Sequence, residues 1–196
     1  MLYYEILAGH PEMRTALIFK EQKMSYGQLR ESIERRANFL QAKGLVKGDR
    51  VGLLSKNCAD FVISYFAIIR AGGVVVPFNF QLAPREIAYI VKDAGLKLMI
   101  VHQKIDLAEA LQEIAYTGLI QYDFVDMEEA VEHEFINYEM HEDDNCTIIY
   151  TSGTTGKPKG AMLSHKNLVA NTREFTTVIT MSSEDIGLCV LPMYHC

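Results

Sequence analysis

The sequence is poor in cysteine, and its four cysteines, Cys58, Cys146, Cys189 and Cys196, lie far apart with no C-x-x-C pair. That spacing excludes a disulfide framework and a zinc ligand set, and it points to a reducing compartment. Cys58, Cys146 and Cys189 fall within or beside apolar runs, where a free thiol is expected to pack as a small hydrophobe. The opening residues, "MLYYEILAGHPEMR", contain no basic region followed by an apolar one, so they do not read as a secretory leader. The longest apolar run, "FVISYFAII", is too short to span a bilayer. Basic residues are not in excess: the net charge of −6 argues against nucleic acid as the main partner. Internal repeats, low-complexity tracts and obvious linkers are also lacking.

No Lys or Arg occurs between Asp106 and Asp144, a stretch that holds thirteen acids. The rest of the chain therefore carries a net charge of +7. Such a block reads as a solvated helix-and-loop face, with a docking surface for a basic partner as the alternative. The 196 residues suffice for one large domain or two small ones with a core of their own.

What is present is an alternation of helices and strands. "SYGQLRESIERRANFLQAKG" reads as a helix, opened by a capping box of Ser25 and Gln28 and closed near Gly44. Its apolar stripe is Leu29, Ile33, Ala37 and Leu40. "DRVGLLS" reads as a strand. "NCADFVISYFAIIRAGG" reads as a buried helix, apolar nearly all round, capped by Asn57 and stopped at Gly72. "VVVPFN" has the composition of a strand covered on both faces. "APREIAYIVKDAG" follows as a helix with Pro84 in its first turn and Gly95 at its end. "LKLMIV" is the next strand, residues 106–116 a helix and "LIQYDFV" a strand. Strands "CTIIYT" and "GAMLSH" come next, then a helix from about Lys166 capped by Ser164, and a last strand "IGLCVLP". This order predicts an α/β fold with a largely parallel sheet flanked by helices.

Between "CTIIYT" and "GAMLSH" lies the stretch "YTSGTTGKPKG", residues 150–160. It offers the hydroxyls of Thr151, Ser152, Thr154 and Thr155, and the cations Lys157 and Lys159. Gly153, Gly156 and Gly160 allow backbone N–H groups to turn into one concavity. Hydroxyls, amides and ammonium groups with no acid among them suit a polyphosphate. A hydroxyl can also reach a Mg²⁺ ion that bridges phosphates. With so little to bury, such a loop can close over a nucleotide and reopen. The pattern G-x-x-x-x-G-K-[ST] is not met, because Thr151 stands where its first glycine belongs and Pro158 follows Lys157. Proline keeps Lys157 out of the helical region, so the loop should join two strands. No G-x-G-x-x-G occurs either.

"YTSGTTGKPKGAMLSHKNL" resembles the signature phosphate loop of the adenylate-forming (AMP-binding) superfamily. That superfamily includes acyl-CoA synthetases, peptide-synthetase adenylation domains and luciferases. "GDRVGLLSKNCADFVISYFAIIRAGGVVVPFN" is similar to a segment near the family's N-terminus. "LPMYHC" resembles the start of its "LP-x-x-H-x-x-G" segment. The resemblance covers most of the chain and implies that residues 1–196 are an incomplete portion of the large N-terminal domain. The segments that stack adenine, bind ribose and complete the Mg²⁺ site are then absent, as is the small lid domain with its catalytic lysine. No catalytic residue is expected here, and the chain alone is expected to be inactive.

The resemblance implies ATP-dependent activation of a carboxylic acid, of fatty acyl-CoA ligase type by overall similarity, with transfer to coenzyme A. Thr151, Ser152, Gly153, Thr154, Thr155, Gly156 and Lys157 would hold the β- and γ-phosphates. Thr151 would approach Mg²⁺, and Lys159 is a lesser candidate. His195 matches a histidine near the acyl pocket. The alternatives are a peptide-synthetase adenylation domain, an aryl acid ligase, a non-enzymatic α/β regulatory or scaffold module, and an ordinary phosphate-loop ATPase. The last requires a helix just after Lys157.

Other residues read as structural. His165 is a first-turn helix residue, and His10, His102, His133 and His141 have no ligand spacing. Asp49 and Arg50 pair or cap locally, and the Phe and Tyr residues at 61–66 are core. The protein is expected in the cytoplasm, close to a membrane surface if its substrate is fatty. A sheet cut at "LPMYHC" would leave an open edge, so self-association is expected.

Overall fold

A computed structural model describes residues 1–151 and 157–195. Among them, Thr15–Phe19 (β1) and Gln22–Ser25 (β2) form an antiparallel hairpin that leads into helix α1, Tyr26–Ala42. Strand β3 is Arg50–Leu54, helix α2 Ala59–Arg70 and strand β4 Val74–Phe78. Helix α3, Pro84–Ala94, precedes strand β5, Leu98–Val101. A short helix α4, Ala108–Glu113, and strand β6, Ile120–Asp123, follow. Strands β7, Asn145–Thr151, and β8, Lys159–Ser164, lead to helix α5, His165–Val178. The main sheet has the order β6-β5-β3-β4-β7-β8, parallel except for the antiparallel pair β7–β8.

The capping signals do what their chemistry demands. Ser25 Oγ accepts from the Gln28 amide at 3.3 Å, and Gln28 Oε1 accepts from the Ser25 amide at 2.9 Å. Leu29, Ile33, Ala37 and Leu40 are buried together on one side of α1. Ser164 caps α5 in the same way, through the Asn167 amide. Side chains alternate across the sheet with a period of two. Val51, Leu53, Val75, Leu98 and Ile100 join the core under α1 and α2. Leu54, Val76, Phe78, Met99 and Val101 join a second core under α3.

Four expectations are corrected. Asn57 does not cap α2: the helix begins after Cys58 without a side-chain cap, and the Asn57 amide is engaged by Leu191 and Met193. The helix expected over 106–116 shrinks to Ala108–Glu113. The run "IGLCVLP" is not a strand: it pairs with neither sheet. Ile186, Leu188, Val190 and Leu191 are 73–87% exposed. Cys189 within that run is exposed rather than packed. The β1–β2 hairpin was not legible because its turn has no Asn-Gly or Gly; Lys20 itself takes φ +57°.

The acidic stretch is a solvated face of short helix and loop, as its composition predicts: Glu109, Glu129, Glu132, Glu134 and Glu139 are all exposed. Beyond β6 it holds only a 3-10 turn, Asp126–Glu128, and then runs as an extended strap to β7. Basic and amide groups of the first 70 residues bind it. Arg36, 3% exposed, donates to Ser64 Oγ (2.8 Å), the Asp60 carboxylate (2.9 Å) and Glu128 (3.2 Å). Arg35 meets Glu128 at 2.9 Å. The Gln41 amide exchanges two hydrogen bonds with the Ile136 backbone. Lys47 meets Asp144 at 2.7 Å, and this hydrogen bond, with one from the His141 amide, holds the Asp144 carboxyl below its usual pKa. Among the described residues no helix is long and apolar enough to cross a membrane.

His165 ties the N-terminus to α5. It is buried, and its Nδ1 accepts from the Tyr3 amide at 3.0 Å.

Two outcomes follow from these contacts. Arg36→Ala removes a buried guanidinium with its hydrogen bonds to Ser64, Asp60 and Glu128, and should cost about 2 kcal/mol in urea unfolding; a loss below ~0.5 kcal/mol would remove these bonds from the stabilising contacts. Burial holds the His165 pKa below its ordinary 6.5, against the pull of Asp144 and Glu5. The unfolded chain thus takes up a proton near 6.5 that the folded chain refuses, and stability should fall as pH drops from about 6.5 through the folded value. His165→Gln should flatten that part of the melting-temperature profile, and an unchanged slope would contradict the linkage.

Candidate functional site

Strands β3, β4, β5 and β7 are parallel, so their carboxyl ends lie along one edge of the sheet. In open α/β sheets this edge is where ligands bind. Strand β7 ends there at Thr151, and β8 returns from it at Lys159; Thr151 pairs with Lys159 and Tyr150 with Gly160. The connection rich in hydroxyls and glycines is therefore a turn between antiparallel strands, as Pro158 required. A helix directly after Lys157 is ruled out, and with it the ordinary phosphate-loop ATPase.

Thr151, Lys157 and Lys159 are exposed, which leaves their hydroxyl and ammonium groups available to a ligand. Ser152, Gly153, Thr154, Thr155 and Gly156 lie outside the described residues. The base of the turn is closely built. Gly160 has no room for a side chain: a Cβ there would sit 2.7 Å from Ile148 Cγ2 and 3.1 Å from Tyr150 Cζ. The Tyr150 ring thus covers Gly160. Its hydroxyl donates to Asp93 at 2.6 Å, and burial together with Asp93 pushes the phenol pKa upward. No group of three or more metal-ligating side chains occurs among the described residues. For Mg²⁺ the stems offer a hydroxyl and no carboxylate, a donor set that fits an ion carried in by phosphates rather than held by protein alone.

His195 lies in a 3-10 turn, Met193–His195, next to the same edge. Asn57, just past β3, holds that segment by donating to the Leu191 carbonyl at 2.8 Å and accepting from the Met193 amide at 2.9 Å. Tyr194 meets Phe80, just past β4, edge-on at 5.8 Å. Strand β4 separates β3 from β7, so the His195 segment and the turn approach the edge from different strands. The role of Asn57 was hidden because a capping residue and a long-range amide clamp look alike in sequence.

Beside Met193 runs an apolar groove of about 340 Å³, walled by Phe61, Tyr65 and Phe66 of α2, Ile149 and Leu168. Phe61 and Phe66 are core residues as expected, yet one face of each lines this groove. Asp49 caps the Val46 amide, and Arg50 binds the carbonyls of Ala94 and Gly95, so they act locally and separately. Cys146 is buried, with its pKa pushed up to about 11, and is no nucleophile at neutral pH.

Residues 4–196 match the family model described as "AMP-binding enzyme". The acyl-CoA ligase sidI of Aspergillus fumigatus is 30% identical over 204 residues, covering 89% of this chain and 34% of the ligase. Gramicidin S synthase 2 of Brevibacillus brevis is 35% identical over 156 residues, covering 79% of this chain and 3% of the synthase. A structure of O-succinylbenzoate coenzyme A synthetase from Bacillus subtilis, in complex with ATP and magnesium ion, matches with a TM-score of 0.85 and 27% identity. It covers 98% of this chain and 51% of that one. The chain thus spans about a third of the fungal ligase and half of the solved synthetase. A turn of this sequence at the carboxyl edge of this sheet, matched over nearly its whole length, makes the chain a member of the AMP-binding enzyme family.

Proposed function

We propose that this chain carries the phosphate-binding part of an enzyme that activates a carboxylic acid with ATP and passes the acyl group to coenzyme A. A carboxylate oxygen attacks the α-phosphorus, pyrophosphate leaves, and an acyl-adenylate forms. The thiol of coenzyme A then displaces AMP to give the thioester. Thr151, Ser152, Gly153, Thr154, Thr155, Gly156 and Lys157 hold the β- and γ-phosphates, which are the leaving group of the first step. Donors placed on that group stabilise the charge that builds up as the bond to the α-phosphorus breaks. Thr151 would offer its hydroxyl to Mg²⁺, which would neutralise phosphate charge. His195 borders the acyl group.

The observation that carries this reading is the Thr151–Lys159 pairing, which sets exposed Thr151 and Lys157 at the edge where α/β sheets take ligands. The ATP and magnesium in the matched synthetase support the same choice of ligand. The acid is a fatty one by the similarity of "GKPKGAMLSHKNL" to fatty-acyl ligases. The likeness to gramicidin S synthase 2 favours a second reading, a peptide-synthetase type of adenylation domain whose acceptor is a carrier thiol. By the family resemblance, the segments for adenine, ribose and the catalytic lysine would belong to a C-terminal remainder and a small lid domain of the complete enzyme. The exposed run Ile186–Leu191 supports self-association of the chain when it is isolated.

Lys157→Ala in the full-length protein should cut acid-dependent release of pyrophosphate at least about tenfold, mainly through the KM for ATP. Activity unchanged by that substitution would overturn the phosphate role. A panel of fatty, aromatic and amino acids separates the substrate readings: preference for aromatic or amino acids would displace the fatty one.

A further inference from the structure

Helix α3 touches both stems of the phosphate turn. Tyr89 and Asp93 are four residues apart and so lie on one face of the helix. The Tyr89 hydroxyl donates to the carbonyl of Pro158, the last residue before β8, at 3.3 Å. Asp93 Oδ2 accepts from the hydroxyl of Tyr150, the residue before Thr151 on β7, at 2.6 Å. One stem receives a donor from the helix and the other stem gives one to it. Tyr150 is paired with Gly160, two residues past Pro158, so the two contacts hold opposite stems close to the turn.

The helix that makes these contacts is itself held at both ends. At its start Glu86 accepts from the Ala83 amide at 2.8 Å. At its end Arg50 of β3 donates to the carbonyls of Ala94 at 2.9 Å and Gly95 at 3.3 Å. Its inner face, Ile87, Ala88, Ile90 and Val91, is buried, and three of the four pack in the core with Val76, Met99 and Val101. Position is thus passed from the middle of the sheet, through Arg50 and α3, to the two chain segments that enter and leave the turn.

We propose that Tyr89, Asp93 and Tyr150 are positioning residues that hold the stems of the turn from α3 and so preorganise its donors for the triphosphate of ATP. A segment rich in glycine loses much conformational freedom when it closes on a ligand. Fixing both stems removes part of that loss before ATP arrives, which strengthens binding without a new contact to the ligand. The benefit falls on ligands that engage the turn, ATP and pyrophosphate. AMP has no β- or γ-phosphate and gains nothing from it. The inference rests on the phosphate role of the turn proposed above.

The test compares affinities for ATP and AMP in the full-length protein, measured by calorimetry. Tyr150→Phe keeps the ring over Gly160 and removes only the hydroxyl. Asp93→Ala removes a carboxylate from the last turn of α3, where negative charge opposes the helix dipole, so the substitution should not weaken the helix itself. Each is expected to lower ATP affinity about 3- to 10-fold, as loss of a hydrogen bond near a charged acceptor does, and to leave AMP affinity unchanged. Combining them should cost no more than either alone, because both delete the same bond. Tyr89→Phe should act in the same direction and add to them. Equal losses for ATP and AMP, or no loss of ATP affinity while Lys157→Ala still shows one, would overturn the positioning role alone. No loss with Lys157→Ala would overturn the phosphate reading and the positioning role together.

Discussion

Strand β7 is bound on both sides, parallel to β4 and antiparallel to β8, and that double pairing governs what the chain can do. The parallel side fixes the direction of β7, so that Thr151 arrives at the carboxyl edge of the sheet. The antiparallel side forces the chain to turn back within a few residues, because Lys159 must face Thr151. Pro158 keeps Lys157 out of the helical region, and Gly160 cannot carry a side chain beneath Tyr150. At the base of that turn Thr151, Lys157 and Lys159 are exposed, and their hydroxyl and ammonium groups remain available to a ligand.

The remainder of the molecule keeps that edge in position. Two cores, one on each face of the sheet, arise from strict alternation along β3, β4 and β5. The acidic strap closes over α1 and α2 and brings carboxylates to Arg35, Arg36 and Lys47. Buried Arg36 needs those partners, since an unpaired guanidinium in the core is costly. Arg35, Arg36 and Lys47 draw Glu128 and Asp144 inward, while most carboxylates of the stretch face solvent. Asn57 extends the same economy of design to the His195 segment, which it holds through two backbone bonds.

Local signals in the sequence carried most of the fold. The Ser25–Gln28 box, the stripe from Leu29 to Leu40, Pro84 and Gly95 each specify their element through neighbours within a few residues. The hairpin nature of the turn was legible as well, because proline acts on the residue before it. Features that depend on distant partners were not. Asn57 has the side chain of a cap, and only the return of Leu191 and Met193 assigns it elsewhere. "IGLCVLP" has strand composition, yet it joins neither sheet. The β1–β2 hairpin turns at Lys20 without the usual turn residues. At the site, Thr151, Lys157 and His195 could be named from the resemblance, whereas Tyr89, Asp93 and Tyr150 could not. Their contacts join positions 57 to 69 residues apart.

The central claim is that the β7–β8 turn grips the triphosphate of ATP. Its most direct measurement is a titration of the isotopically labelled protein with Mg-ATP and, separately, with AMP, followed through the backbone amide resonances. The expected result is a set of large shifts from Thr151 to Lys159 with Mg-ATP that AMP does not reproduce. Amides of that stretch unmoved at saturating Mg-ATP would contradict the claim.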